Sequence, residues 1–108
     1  MTKTKSGVEL SYQNDDHNPD LSEVTLHFNS IQANVLRERI RQGVLHPGRT
    51  PRHVRDKYFA LAIATEEFGE IAKAMMDETP QHVYDETVQT IACLVAMLEG
   101  MIERGELP

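Results

Sequence analysis

The segment from Thr65 to Glu99, TEEFGEIAKAMMDETPQHVYDETVQTIACLVAMLE, constrains the fold more than any other part of the chain. It reads as two amphipathic helices broken at residues 77–79, each with acidic or amide residues three apart on an otherwise apolar face. On the first these are Glu67 and Glu70, and on the second Glu86 and Gln89. Residues i and i+3 share one side of a helix, so each pair can aim two polar tips at one point. Packed antiparallel, the helices would gather four oxygen-bearing side chains, which is how helical bundles build metal sites. Oxygen donors of this kind suit a hard cation such as magnesium.

The preceding chain supplies elements of the same type. Asp20 stands three residues before Glu23 in the manner of a capping box. Val24, Phe28, Ile31 and Val35 follow at spacings of four, three and four, with Leu36 and Ile40 near the same side. That period outweighs the local strand propensity around Thr25 and predicts a helix over 21–42, with Gly43 as its stop. His46-Pro47-Gly48 marks a loop over 44–49. Thr50-Pro51 then offers a threonine N-cap and a proline at the first helical position. A second helix is expected over 51–76, with Leu61, Phe68, Ala72 and Met75 toward the core. Thr79-Pro80 repeats the start signal, and the third helix runs to about 104 with Val88, Ile91, Val95, Leu98 and Ile102 at helical spacing. Gly105 lies beyond its end, and Gly100 inside it weakens the last turn by roughly 1 kcal/mol relative to alanine.

Residues 1–20 are polar and are expected as a flexible N-terminal arm, although Val8, Leu10 and Tyr12 alternate as a short extended segment would. The expected architecture is therefore all-α: one domain over 21–108, a helical bundle of about three long helices per chain. Three helices of this length bury only a modest core, so oligomerisation is expected to complete the bundle.

The net charge of −6 is unevenly spread. Seven basic residues (Arg37, Arg39, Arg41, Arg49, Arg52, Arg55, Lys57) lie between 37 and 57, against Glu38 and Asp56. From 66 to 106 ten acidic residues face only Lys73 and Arg104. A nucleic-acid binder should be basic along its contact surface, so no nucleic-acid partner is expected. A basic stretch beside an acidic metal site suits a small, polyanionic, metal-bound ligand. One cysteine excludes an internal disulfide and fits a reducing cytoplasm. The first twenty residues hold no apolar run and no later stretch reaches 18 apolar residues, so neither a secretory signal nor a membrane span is expected. The histidines at 17, 27, 46, 53 and 82 show no ligand spacing, and the Glu-x-x-His pair of a di-iron bundle is missing.

Glu67-x-x-Glu70, fifteen residues, then Glu86-x-x-Gln89 resembles the Glu-x-x-Glu…Glu-x-x-Asp signature of the MazG-like, all-α nucleoside triphosphate pyrophosphatases. The wording Glu66-Glu67-Phe68-Gly69-Glu70-Ile71-Ala72-Lys73-Ala74 is similar to that family's first motif helix, and the resemblance covers residues 37–103. It implies hydrolysis of a nucleoside triphosphate to monophosphate and pyrophosphate with magnesium, or manganese in its place, by a homodimer or homotetramer. Carried over by position, Glu67, Glu70 and Glu86 would be catalytic metal ligands, with Gln89 standing where the family pattern has aspartate.

Arg49, Arg52 and Arg55 near the start of the second helix are candidates for phosphate contacts, helped by the helix N-terminus. Lys73 is another, or it pairs with Asp77 one turn on. Gln89 is the remaining substrate-binding candidate. Two readings stay open: the pyrophosphatase, and a helical nucleotide-binding or assembly module on the same fold with a degenerate metal site and little turnover.

Overall fold

The computed structural model describes residues 2–3, 9–10, 20–77 and 79–107. Two short strands, β1 (Thr2–Lys3) and β2 (Glu9–Leu10), pair antiparallel with Thr2 opposite Leu10 and Lys3 opposite Glu9. The rest of the expected arm lies outside the described residues. Three long helices follow: α1 (Leu21–Leu45), α2 (Lys57–Asp77) and α3 (Pro80–Glu103), with a 3₁₀ turn at Pro51–His53 between the first two. The protein is all-α in its architecture.

Capping explains most of the boundaries. Asp20 Oδ1 accepts from the Glu23 N–H at 2.9 Å and opens α1. Thr79 Oγ1 accepts from the His82 N–H at 3.3 Å, with Pro80 at the first helical position of α3. Gly105 closes α3 at φ 68°, where its N–H donates to the Ile102 carbonyl and the Glu106 N–H to Met101, a complete Schellman motif.

Two boundaries differ from expectation. Helix α1 runs through Gly43 to Leu45, because the residue that forbids continuation is Pro47, not the glycine. The Thr50-Pro51 start yields only the 3₁₀ turn, and residues 54–56 are non-helical. Asp56 then caps α2, its Oδ1 accepting from the N–H groups of Tyr58 (2.8 Å) and Phe59 (3.2 Å).

Helix α3 is the hub on which α1, the 3₁₀ turn and α2 all pack. The buried cluster joins Val35 of α1 to Val88 and Ala92 of α3, with Ile91 and Val95 against it. The deepest positions of α3 are small: Ala92 and Ala96 are wholly buried, and Cys93 and Gly100 are buried beside them. A Cβ on Gly100 would collide with the Arg52 carbonyl oxygen and come 2.9 Å from Arg104 Nη1. The glycine is thus what lets the 3₁₀ turn lie on α3.

Several expected core residues face outward. In α2, Leu61, Phe68, Ala72 and Met75 are exposed, while Ala60, Ile63, Ala64, Glu67, Ile71 and Ala74 turn inward. Leu98 and Ile102 of α3 are exposed, as are Val24, Phe28, Ile31, Leu36 and Ile40 of α1. In α2 the large residues and the small inward residues form adjacent stripes of similar period, and the bulkier stripe read as the core from sequence is the one left uncovered in the single chain.

Candidate functional site

Four segments enclose a cavity of about 210 Å³: the C-terminal half of α1, the loop before the 3₁₀ turn, α2 and α3. Glu38, Gln42, Arg49, Glu67, Gln89 and Cys93 are among its walls. Helix α1 reaches it through an inward stripe at 35, 38 and 42, spaced three and four, in which Val35 is followed by polar Glu38 and Gln42. The turn His46–Arg49 is closed by the Arg49 N–H donating to the His46 carbonyl at 3.0 Å. Pro47 followed by Gly48 at φ 73° matches a type II turn, and the turn delivers Arg49 and buried Thr50 to the cavity. From α2 comes Glu67, and from α3 come Gln89 and Cys93, one turn apart. The Thr90 hydroxyl donates to the Glu86 carbonyl at 2.9 Å and lies 3.5 Å from the Glu67 carbonyl, which locks the two helices together at the level of the motif residues.

The electrostatics centre on Glu67. Burial, then the charge of Glu86, with Glu66, Glu70 and Glu38 contributing, lifts its carboxyl above the ordinary carboxylate range. Glu86 is largely shielded and lies with Oε1 3.2 Å from Nε2 of His82. Glu38 accepts a bidentate pair from Arg41, Nε to Oε2 at 2.9 Å and Nη2 to Oε1 at 2.8 Å, and a third bond from Gln42 Nε2 at 3.3 Å. The pair with Glu38 raises the Arg41 guanidinium further, chiefly through the hydrogen bond. Burial, then Glu67, pushes the Cys93 thiol up to about 11, so at neutral pH it is an unreactive, protonated group.

The residues singled out from sequence separate into groups. Glu67, Gln89 and Arg49 line one cavity, and Glu86 and Glu70 act on Glu67 through their charge. Glu70 and Lys73 are exposed on α2, and the Asp77 side chain proposed to pair with Lys73 lies outside the described residues. Arg55 borders a neighbouring cavity together with Arg49. Arg52 turns away to α3, where its guanidinium pairs with Glu103 and lies 3.9 Å from Glu99. Arg39, also from the basic stretch, pairs with Glu99.

Glu38 and Gln42 were not legible as site residues, although one signal existed: they sit where the apolar stripe of α1 should continue. The charges of Glu86, Glu66, Glu70 and Glu38 all work against ionised Glu67, and a cation beside it would relieve that repulsion. Among the described residues, no three His, Cys, Asp or Glu side chains gather closely enough in the single chain to hold a metal ion. Nor is any helix among them long and apolar enough to cross a membrane. Compared with known proteins, the chain matches no family model, no curated protein and no solved structure.

Proposed function

We propose that the protein is a nucleoside triphosphate pyrophosphohydrolase dependent on magnesium or manganese, converting a nucleoside or deoxynucleoside triphosphate to monophosphate and pyrophosphate. The observation that carries this reading is the half-buried Glu67, its carboxyl raised by burial and then by Glu86, beside a cavity that Gln89 and Arg49 also line. Glu67, Glu70 and Glu86 would hold the metal, with the neutral amide oxygen of Gln89 as a weaker fourth donor. A bound magnesium ion would supply charge neutralisation for the phosphates and acidify the attacking water.

The chain's own residues account for the rest. Water attacks the α-phosphorus, the bond from that phosphorus to the bridging oxygen breaks, and pyrophosphate departs with the electron pair. Whichever of the three carboxylates the metal leaves partly unoccupied would take the water proton. Arg49, and Arg55 beside it, would orient the phosphates, and Lys73 is a further cation on the exposed side of α2. Arg52, committed to Glu103 and Glu99, would have to leave those partners to join them.

The same chain is read as one half of a symmetric homodimer, or a quarter of a dimer of dimers, whose second copy completes the bundle. A single buried cysteine without a disulfide partner fits a cytoplasmic setting. The second reading, a nucleotide-binding module of the same fold with little turnover, draws on the lack of a three-ligand cluster among the described residues of the single chain.

Pyrophosphate release measured across ribo- and deoxynucleoside triphosphates, with magnesium or manganese, separates the two. Release is expected with at least one triphosphate, and Glu70→Gln should lower it at least roughly a hundredfold while the helices stay folded, since Glu70 is exposed. Unchanged turnover in that variant would remove the acidic cluster from the reaction. Binding without turnover for every triphosphate would favour the module.

A further inference from the structure

Helices α1 and α3 enclose a second cavity of about 300 Å³, the size at which sites for small ligands begin. Its walls come from positions 34, 37, 38 and 41 of α1 and 81, 84, 85 and 88 of α3, one face of each helix. Facing stripes of this spacing normally close as an apolar seam, yet every side chain here except Val88 carries a polar group. A relay crosses the gap: Arg37 Nη1 donates to Asn34 Oδ1, and Asn34 Nδ2 donates to the Tyr84 hydroxyl, both at 2.8 Å. A guanidinium only donates, so Arg37 fixes the Asn34 amide and makes the Tyr84 oxygen the acceptor. The Tyr84 hydrogen therefore points away from Asn34, and it has no acceptor among the described residues. Arg37 has no carboxylate partner among them. A ligand can reach both donors, since Arg37 is exposed and Tyr84 is 40% exposed. Beside them stands an acceptor, Asp85, whose Oδ1 takes Gln81 Nε2 at 2.9 Å and whose Oδ2 is left over. Two guanidinium groups, Arg37 and Arg41, balance two carboxylates, Glu38 and Asp85, so the walls suit an uncharged polar group better than a phosphate. The Glu38–Arg41 pair also borders the Glu67 cavity, so the two cavities adjoin across it.

We propose that this second cavity receives the base of the nucleotide and selects bases with a carbonyl beside a ring N–H: guanine, hypoxanthine, uracil or thymine. The inference rests on the nucleotide reading above, and it seats the base apart from the phosphates held at Glu67 and Arg49. Arg37 and the Tyr84 hydroxyl donate to the exocyclic carbonyl, and Asp85 accepts the neighbouring ring N–H. Adenine and cytosine reverse both contacts. Their exocyclic amine sets donor against donor at Arg37 and Tyr84, and their bare ring nitrogen sets acceptor against acceptor at Asp85. Asn34 acts as a positioning residue, since its amide is what turns the Tyr84 hydrogen outward.

The test uses two pairs of monophosphates that differ only in this exchange: inosine against adenosine, and uridine against cytidine. Calorimetric titration of the full chain should give roughly tenfold tighter binding for the carbonyl member of each pair, the worth of one hydrogen bond. Arg37→Met removes the guanidinium donors and should abolish most of the preference; Tyr84→Phe, which keeps the ring and loses the hydroxyl, should weaken it. Both side chains are exposed, so the thermal midpoint should stay near that of wild type. Equal affinities within each pair, the result expected if the cleft holds only water, overturn the proposal. A full preference retained in both variants also overturns it. Should either variant fail to fold, the wild-type preference and the other variant decide. An absence of binding by all four monophosphates at millimolar concentration overturns it too, and pyrophosphate release from the four triphosphates then shows whether the nucleotide reading falls with it. A wild type that prefers uridine monophosphate yet releases no pyrophosphate from uridine triphosphate upholds the selector and refutes the enzyme. Equal release from uridine and cytidine triphosphates, with no binding preference, does the reverse.

Discussion

On the inward stripe of α2, the positions at 60, 63, 64, 71 and 74 are Ala, Ile, Ala, Ile and Ala, and only position 67 is charged. Burial and the neighbouring carboxylates, Glu86 foremost, raise the Glu67 carboxyl above its ordinary value of about 4.3. The folded chain therefore binds this proton more tightly than the unfolded chain does. The stability it contributes is full below the unfolded value and is lost as pH rises through the raised folded value. At neutral pH the ionised side chain works against the fold, as functional groups in cores commonly do. Glu67→Gln should accordingly melt higher than wild type at pH 7, with the difference shrinking as pH falls below about 4. Magnesium should raise the wild-type midpoint more than that of the variant. Melting curves over pH 3–8, with and without the metal, check both points, and a variant that melts lower at pH 7 would show that Glu67 is not repelled. Cys93 lies against this group, and its raised thiol value of about 11 makes it a buried packing residue.

At the level of elements, α3 is built around small side chains. Ala92, Ala96 and Gly100 recur every four residues, giving a seam on which other segments can lie close. Helix propensity by itself makes alanine better than glycine at 100 by roughly 1 kcal/mol. The packing reverses that sign, because the added Cβ has the Arg52 carbonyl oxygen in its way and this oxygen is backbone, not the end of a flexible side chain. Gly100→Ala should destabilise the protein by about 1–3 kcal/mol, the usual cost of overpacking. Denaturant titration reads the change directly, and a stabilised variant would mean that the 3₁₀ turn does not rest on α3. The same close approach places Arg52 beside Glu103 and Glu99, which explains why one member of the basic stretch is spent on structure.

For the whole molecule, the described helices leave long apolar stripes uncovered in the single chain. Leu61, Phe68 and Met75 on α2 and Leu98 and Ile102 on α3 make up part of the uncovered apolar surface. A second groove between α1 and α3, lined by Phe28, Ile31, Leu36, Ile91 and Val95, adds to it. Isolated exposed hydrophobics are normal, but stripes of this length mark association surfaces. Light scattering at micromolar concentration should give at least twice the chain mass of 12.3 kDa, and Phe68→Glu should shift the population toward monomer. A wild-type monomer at that concentration would leave these apolar stripes without a partner copy.

What the sequence determined by itself was local. Helix starts at Asp20 and Thr79-Pro80, the stop at Gly105 and the all-helical periodicity are written in residues within one turn of each other, so short-range hydrogen bonding decides them. The i, i+3 pairing of Glu67 with Glu70 and of Glu86 with Gln89 is equally local, and both pairs fall within the expected helices. Which stripe of α2 turns inward could not be read, because the large stripe through Leu61, Phe68 and Met75 and the smaller one through Ala60, Ile63 and Ala74 share the same period. That choice belongs to α3, whose alanines and glycine accept only a closely fitting neighbour. The start of α2 was undecided in the same way, since Thr50 and Asp56 both offer caps and packing of the 3₁₀ turn on Gly100 favours the later one. Only the tertiary structure brought Glu38 and Gln42 of α1 to Glu67 and Gln89, because residues that far apart in sequence meet through helix packing and not through any local rule.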